Sequence, residues 1–199
     1  MGASRGPNAR RDTWALPGGR RYAAGRPAGV GAKTVSLLLA LVYLMAPAYL
    51  GNMAAPFVKY WKGWNRPISE RWLGAHKTVA GFVLGVIVAL GTAFLQSAID
   101  WKGSLVDYAN WPALGLALGI GALGGDALKS LVKRARGIAP GKSWVPFDQL
   151  DFAVGALALV WPWARLGWGD ALLILAFTFV ADIVVNHAAY RLGIRDTRW

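Results

Sequence analysis

The sequence has no cysteine and only ten acidic residues, and charged residues make up 16% of its 199 positions, where a soluble domain carries about a quarter. The lack of cysteine excludes disulfides, zinc–thiolate sites, iron–sulfur clusters and thiol nucleophiles. The lack of charge argues against a soluble domain and against disorder. What stands in its place is apolar. Hydrophobic residues make up 55% of the chain, mean hydropathy is +0.37, and apolar runs reach about 20 residues, the span of a bilayer. The composition is that of an integral membrane protein. Twenty-two Lys and Arg leave a net charge of +12. In a soluble chain that excess would suggest nucleic acid, but in a membrane protein basic loops first report topology and anionic headgroups, so nucleic acid is not expected as a partner.

Residues 1–34 are rich in Arg, Gly, Ala and Pro, hold seven Lys/Arg and have no apolar periodicity. They read as a flexible basic N-terminal tail, ahead of a membrane-embedded domain over 35–199. Five spans are expected, giving an all-α fold with a polar cavity facing the cytoplasm. The first runs from about Val35 to Val58 and is interrupted by Pro47, Asn52 and Pro56, which predicts a kink or break near its end. The second covers Val79 to Ile99. The third starts near Tyr108 and has no breaker before Gly137, so its helix projects past the bilayer. The fourth extends from Asp148 to Leu166, and the fifth from Ala171 to about Tyr190. Gly81 with Gly85, and Gly115 with Gly119, have the spacing that lets membrane helices approach closely.

Loop charge sets the orientation. The segments 59–78, 126–151 and 191–199 hold 5, 5 and 3 Lys/Arg, whereas the two opposing loops hold Lys102 and Arg165 alone. The positive-inside rule puts the three basic segments in the cytoplasm of a multi-pass cell-membrane protein and the N-terminus outside, against the tail's own charge.

The dense polar sequence falls on that same side. If the third helix continues, Asp126, Lys129, Ser130, Lys133 and Arg134 lie at offsets 0, 3, 4, 7 and 8 and share a face. One carboxylate among cations suits a magnesium-bound polyphosphate, in which the acid holds the hard ion and the cations neutralise phosphate oxygens. Asp148 and Asp151, three apart at a helix start, can point at the same ion, and converging carboxylates with basic residues are the logic of nucleotidyl and phosphoryl transfer. The plainer alternatives are headgroup anchoring for the basic residues and dipole-favoured helix starts for Asp148 and Asp151. Asp126 fits them least, because a carboxylate at the edge of an apolar helix is costly unless paired or metal-bound. Lys77 and Thr78 begin the second helix, where free N–H groups favour phosphate, although a cap and a snorkelling lysine would read the same. Asn52 and Asn186 either contact cytosine or phosphate, or tie helices together.

The run Gly125-Asp126-x-x-Lys129-Ser130-x-x-Lys133-Arg134, then Gly137, Pro140-Gly141 and Pro146-Phe147-Asp148-Gln149-x-Asp151-Phe152, closely resembles the signature of the archaeal CDP-archaeol synthase family. Leu73-Gly74-x-His76-Lys77-Thr78-x-x-Gly81, Asn52-x-x-Ala55-Pro56 and Asn186-x-x-x-Tyr190-Arg191-Leu192-Gly193-Ile194-Arg195 resemble its other blocks, in order, so that the likeness covers roughly residues 35–199. Ser130, Lys133, Arg134, Asp148 and Asp151 also parallel the Ser-x-x-Lys-Arg and Asp-x-x-Asp elements of phosphatidate cytidylyltransferases. One departure is Asp182, where the family often has His, so Asp182 takes no role from the likeness.

The resemblance implies transfer of CMP from CTP to a membrane lipid phosphate, 2,3-bis-O-(geranylgeranyl)-sn-glycerol 1-phosphate, giving a CDP-archaeol-type ether lipid and pyrophosphate, with Mg2+ as cofactor. It implies catalytic roles for Asp126, Lys129, Lys133, Asp148 and Asp151, with the three aspartates as metal ligands, and substrate contacts for Asn52, Lys77, Thr78, Ser130, Arg134 and Asn186. No general base is needed, since a phosphate monoester is already ionised near neutral pH. His76 reads as a loop hydrogen-bonder or phosphate contact and His187 as an interhelical residue. Competing readings are a small transporter or channel, suggested by Asp182, Asn186 and His187, and a phosphatidate cytidylyltransferase acting on acyl-ester lipid. A CDP-alcohol phosphotransferase is excluded by the missing Asp-Gly-x-x-Ala-Arg motif.

Overall fold

The computed structural model describes residues 30–61, 63–139, 142–164 and 166–191, with side chains from residue 34 onward except at 189. Most of the tail expected over 1–34, the Pro140-Gly141 pair, Arg165 and the terminal Leu192 to Arg195 motif lie outside the described residues.

Six helices account for most of the described chain: α1 (Val30–Ala54), α2 (Glu70–Leu73), α3 (Val79–Ile99), α4 (Trp111–Ala135), α5 (Phe147–Val160) and α6 (Trp168–Arg191). Among the described residues the only β-pairing is an isolated antiparallel bridge between Pro67 and Thr78. Among the described residues four segments are long and apolar enough to cross a membrane: Thr34–Tyr60, Val79–Ile99, Tyr108–Ala135 and Trp168–Ala188. Their outward faces carry large apolar side chains such as Ile87, Phe94, Leu172 and Val184, each more than half exposed. Water would penalise such a surface, whereas lipid tails solvate it.

Helix α1 starts at Val30, five residues before the expected Val35, and runs through Pro47 and Asn52. Pro47 is fully buried, and neighbouring helices let membrane helices tolerate proline. The expected break comes at Ala55, where the chain tightens into a 3-10 helix over Ala55–Tyr60 with Pro56 in its first turn. Helix α3 has the expected limits, capped by Thr78 at its start and closed by a left-handed Asp100 at its end. Helix α4 overruns the apolar stretch as expected and stops before Gly137, whose φ of +71° continues no helix.

The fourth expected span differs. Helix α5 stops at Val160, six residues short of Leu166: Trp161 still has helical backbone and donates to the Leu157 carbonyl, but Pro162 has no N–H to continue the ladder. Its 14 residues rise about 21 Å, less than the hydrocarbon core of about 30 Å. It is a short helix held inside the bundle, with Phe152, Ala153, Ala156, Leu157 and Val160 buried against Leu114, Leu118 and Ala122 of α4 and Leu41, Leu44 and Ala48 of α1.

Close backbone approach sets the helix pairs. A methyl group at Gly121 of α4 would stand 2.5 Å from the carbonyl oxygen of Gly155 in α5, and one at Gly51 of α1 would stand 2.7 Å from that of Gly85 in α3. Gly119 meets Ala89 in the same way, at 2.8 Å. The expected small-residue pairs therefore do make contacts. Helix α6 is held less tightly, through a Tyr49–Thr178 hydroxyl hydrogen bond of 2.7 Å to α1. The antiparallel order brings the C-terminal ends of α1, α4 and α6 and the N-terminal ends of α3 and α5 to one end of the bundle.

Candidate active site

At that end lies a cavity of about 260 Å³, walled by Asn52 of α1, Ala55 and Pro56 just after it, His76, Lys77, Thr78, Gly81 and Phe82 around the start of α3, Leu123, Asp126 and Ala127 of α4, Asp148, Asp151 and Phe152 of α5, and Asp182 of α6. Local structure fixes Lys77, Thr78 and Asp148 on this wall. The bridge at Pro67 and Thr78 pins the Lys77–Thr78 strand segment: Ile68 donates to the Lys77 carbonyl at 2.8 Å and Val79 to the Arg66 carbonyl at 3.0 Å. Thr78 then accepts from the Gly81 N–H at 3.1 Å as the cap of α3. Asp148 accepts from the Trp144 N–H at 2.6 Å, which holds the loop leading into α5.

The acids and bases interlock. The Lys129 ammonium lies 3.2 Å from Asp126, 3.1 Å from Asp148 and 2.7 Å from Asp151, so one cation gathers carboxylates from two helices. Lys77 pairs with the other oxygen of Asp126. Lys133 donates to both oxygens of Asp148 at 3.0 Å and to the Lys142 carbonyl at 2.5 Å. Asp151 is 6% exposed and Lys133 8%, whereas Lys77 is 29% exposed and faces the cavity. Buried pairs of this kind hold only because every charge has a partner. Three ammonium groups balance three carboxylates, and the cluster is neutral as a unit. Burial pushes the Lys77 ammonium down from 10.5 to about 8, the Lys129 charge adds to that, and Asp151 and Asp148 oppose it. At neutral pH Lys77 remains a cation, and an anion arriving in the cavity would stabilise it further.

The sequence expectations meet this geometry in parts. Asp126, Asp148, Asp151, Lys77, Thr78 and Asn52 stand on the cavity wall, and Lys129 and Lys133 stand directly behind the carboxylates. Ser130, Arg134 and Asn186 are not on the wall. The Ser130 hydroxyl donates to the Asp126 carbonyl at 2.9 Å, Arg134 keeps Nε and Nη1 buried without a hydrogen-bond partner among the described residues, and Asn186 donates to Asp182 at 2.7 Å. His187 contacts the Ile183 carbonyl of its own helix at 2.9 Å. Two features are absent from the motif reading: Asp182 as a wall residue, and an apolar wall of Pro56, Ile68, Phe82, Leu123 and Phe152. The i, i+4 spacing of Asp182 and Asn186 was the available signal for the first.

Neither Asp148 nor Asp151 caps α5, whose N-cap is Pro146 with no side-chain bond. Their oxygens are spent on lysines, on the Trp144 N–H and, for Asp151, on the Phe152 N–H at 2.7 Å. Among the described residues no three His, Asp or Glu side chains group as a free-standing metal centre. The carboxylate oxygens are nonetheless the hard donors magnesium takes, and magnesium commonly completes its shell with substrate phosphates and water. The donor set fits an ion that arrives with a nucleotide.

Comparison with known proteins gives a consistent result. Residues 34–199 match the family described as CarS-like, CDP-archaeol synthase. The CDP-archaeol synthase of Methanocaldococcus jannaschii is 29% identical over 180 residues, covering 82% of this chain and 98% of its own length. That of Thermococcus gammatolerans is 34% identical over 174 residues, covering 82% and 97%. A solved structure described as an intramembrane enzyme for archaeal membrane lipids biosynthesis superimposes with a TM-score of 0.63 at 26% identity, covering 75% of this chain and 94% of that one.

Proposed function

The chain belongs to the CDP-archaeol synthase family, and from that membership we propose how its cavity performs the reaction. It is a membrane-embedded, CTP-dependent cytidylyltransferase that transfers CMP to an archaeol-type lipid phosphate, releasing pyrophosphate. The observation that carries the site assignment is the convergence of Asp126, Asp148 and Asp151 with Lys77, Lys129 and Lys133 at one end of the bundle. A transporter would spread polar residues along several spans, whereas here they gather at a single end.

Two anions must meet in this reaction. A lipid phosphate oxygen forms a bond to the α-phosphorus of CTP while the bond from that phosphorus to the pyrophosphate breaks. Lys77, at the cavity wall and half-committed to Asp126, takes the triphosphate, helped by the N-terminal end of α3 behind Thr78. Lys129 and Lys133 add positive potential from behind, which lowers the cost of bringing the two phosphates together. No proton is removed, because the attacking phosphate is already ionised. Asp126, Asp148 and Asp151 would hold a magnesium ion, which when bound would supply charge neutralisation on the phosphate oxygens. Asn52 contacts the nucleotide from α1, and the wall of Pro56, Phe82 and Phe152 receives the apolar part of the lipid headgroup region. In this reading the substrate is the geranylgeranyl ether phosphate.

Incubation of purified protein with labelled CTP, magnesium and either unsaturated archaetidic or phosphatidic acid tests the assignment. Labelled CDP-lipid with stoichiometric pyrophosphate is expected from the ether lipid. Product from the ester lipid alone would overturn the substrate, and no product from either would overturn the function.

The cavity opens to the cytoplasm in this proposal, with α5 and the turn after it returning the chain across the membrane as a fifth pass and the N-terminus outside. The support is the basic charge of 59–78 and 126–151 beside the cavity. The cysteine-free chain makes the test clean. A cysteine at exposed Ser143 should react with an impermeant maleimide only from the cytoplasmic side, and one at exposed Lys102 only from outside. Labelling of both from one side would overturn the topology.

A further inference from the structure

We infer that the three lysines, with Lys129 at their centre, act as resident counter-ions that keep the site from taking a divalent cation until nucleotide phosphate is present. The inference rests on the proposed site assignment and concerns the order in which that site fills. All three carboxylates are engaged by ammonium groups: Asp126 by Lys77 and Lys129, Asp148 by Lys129 and Lys133, and Asp151 by Lys129. The six charges cancel. Asp182, bonded to Asn186, is a further carboxylate on the wall, but one acid cannot offset a divalent ion, which would still leave uncompensated charge beside a group in which Asp151 and Lys133 are almost fully buried, and such charge is costly where water cannot screen it. A nucleotide triphosphate reverses the balance. Its anionic oxygens draw Lys77 away from Asp126, since Lys77 is the most exposed of the three lysines and stands on the cavity wall. That leaves carboxylate charge for the ion that travels with the nucleotide. Lys129 is thus a positioning residue as well as a source of potential: it holds acids from α4 and α5 together in the empty site and sets their net charge.

The test is a binding measurement with Mn2+ as the probe, on the full chain in detergent without lipid, protein-bound ion being counted after equilibrium dialysis against the same Mn2+ and CTP so that ion held by free CTP is subtracted. Wild-type protein should take up stoichiometric Mn2+ with CTP present and at least about tenfold more weakly without it. Lys129→Met makes the cluster net negative and should bind Mn2+ without CTP at least tenfold more tightly than wild type, while Lys129→Arg should behave as wild type. Lys77→Met, at the more exposed edge, should give the same gain and serves if Lys129→Met does not fold. Equal Mn2+ affinity of the wild type with and without CTP would overturn the inference, as would a folded Lys129→Met or Lys77→Met with no gain. A protein that makes CDP-lipid yet gives either result loses only this inference, whereas failure to make CDP-lipid removes the assignment beneath it.

Discussion

Asp148→Asn and Asp151→Asn are each expected to lower the turnover of CDP-lipid formation by at least about a hundredfold, measured at saturating CTP and magnesium on protein that elutes as a single species. Asn keeps the size of the side chain and part of its hydrogen bonding. The amide oxygen introduced at position 148 still accepts from the Trp144 N–H, and the one at position 151 from the Phe152 N–H, so the entry into α5 is retained. What disappears is one negative charge beside Lys129. Three ammonium groups then face two carboxylates, the cluster is left net positive, and the hard oxygen donor for a nucleotide-borne ion is weakened. An ion that stabilises the transition state by several kcal/mol converts into orders of magnitude in rate, at about 1.4 kcal/mol per tenfold. If the two acids served only to favour a helix start, Asn would do nearly as well as Asp and turnover would hold. The capping role is already weak on geometry, because Pro146 occupies the N-cap and neither carboxylate bonds to the free N–H groups of the first turn as a cap would. Asp126→Asn should cost less than Asp151→Asn, since the Asp126 side chain is 19% exposed against 6% for Asp151 and water can replace part of what is lost. Near-wild-type turnover in both Asp148→Asn and Asp151→Asn would remove the acids from the chemistry.

Much of this site was legible before any fold was known, for reasons that can be traced. The offsets of Asp126, Lys129 and Lys133 on one helix follow from backbone geometry alone, and only the continuation of α4 past its apolar stretch was needed to make them neighbours. Helical projection also explains what was misjudged. The five polar residues from Asp126 to Arg134 spread over roughly 140° of helix surface. Asp126 looks into the cavity and Lys129 and Lys133 turn toward α5, while Ser130 bonds back to its own helix and Arg134 keeps Nε and Nη1 buried away from the cavity wall. A shared face in sequence became two faces in the fold. That the lysines would pair with the acids of α5 was not readable, because it depends on how closely α4 and α5 approach. The early end of α5 was readable in Pro162 but was outweighed by the expectation that an apolar segment must span. The i, i+4 spacing of Asp182 and Asn186 marks a polar face on α6, but that Asp182 reaches the wall depends on how α6 packs on α5 and, through the Tyr49–Thr178 contact, on α1.

The closeness of α4 and α5 supports the second large effect: Gly155→Val should abolish activity and lower the thermal midpoint in detergent well below that of wild type. Even a methyl group at Gly155 would press on the Gly121 carbonyl and on the backbone of Gly125, and at Gly125 it would meet the Asp151 carbonyl. These obstacles are backbone atoms of two packed helices, which cannot rotate away as a flexible side chain would, so the helices must move apart. Overpacking in a close-packed core costs about 1–3 kcal/mol even where neighbours can adjust. Separation also acts on the chemistry. Asp126 and Lys129 are carried by α4 and Asp148 and Asp151 by α5, so shifting one helix against the other pulls Lys129 from the 2.7–3.1 Å contacts that gather the carboxylates. The activity loss should therefore persist at temperatures where the variant is still folded. Gly91→Ala is the matched control. It lies in the middle of α3 on an exposed face, with no atom within 4 Å of an added methyl, and replacing a mid-helix glycine by alanine is expected to be neutral or to stabilise by about 0.5–1 kcal/mol. Measuring both variants by thermal unfolding and by CDP-lipid formation separates packing from propensity. A Gly155→Val protein with wild-type midpoint and turnover would mean that the two helices do not approach through their glycines, and the geometry that brings the acids to Lys129 would fall with it.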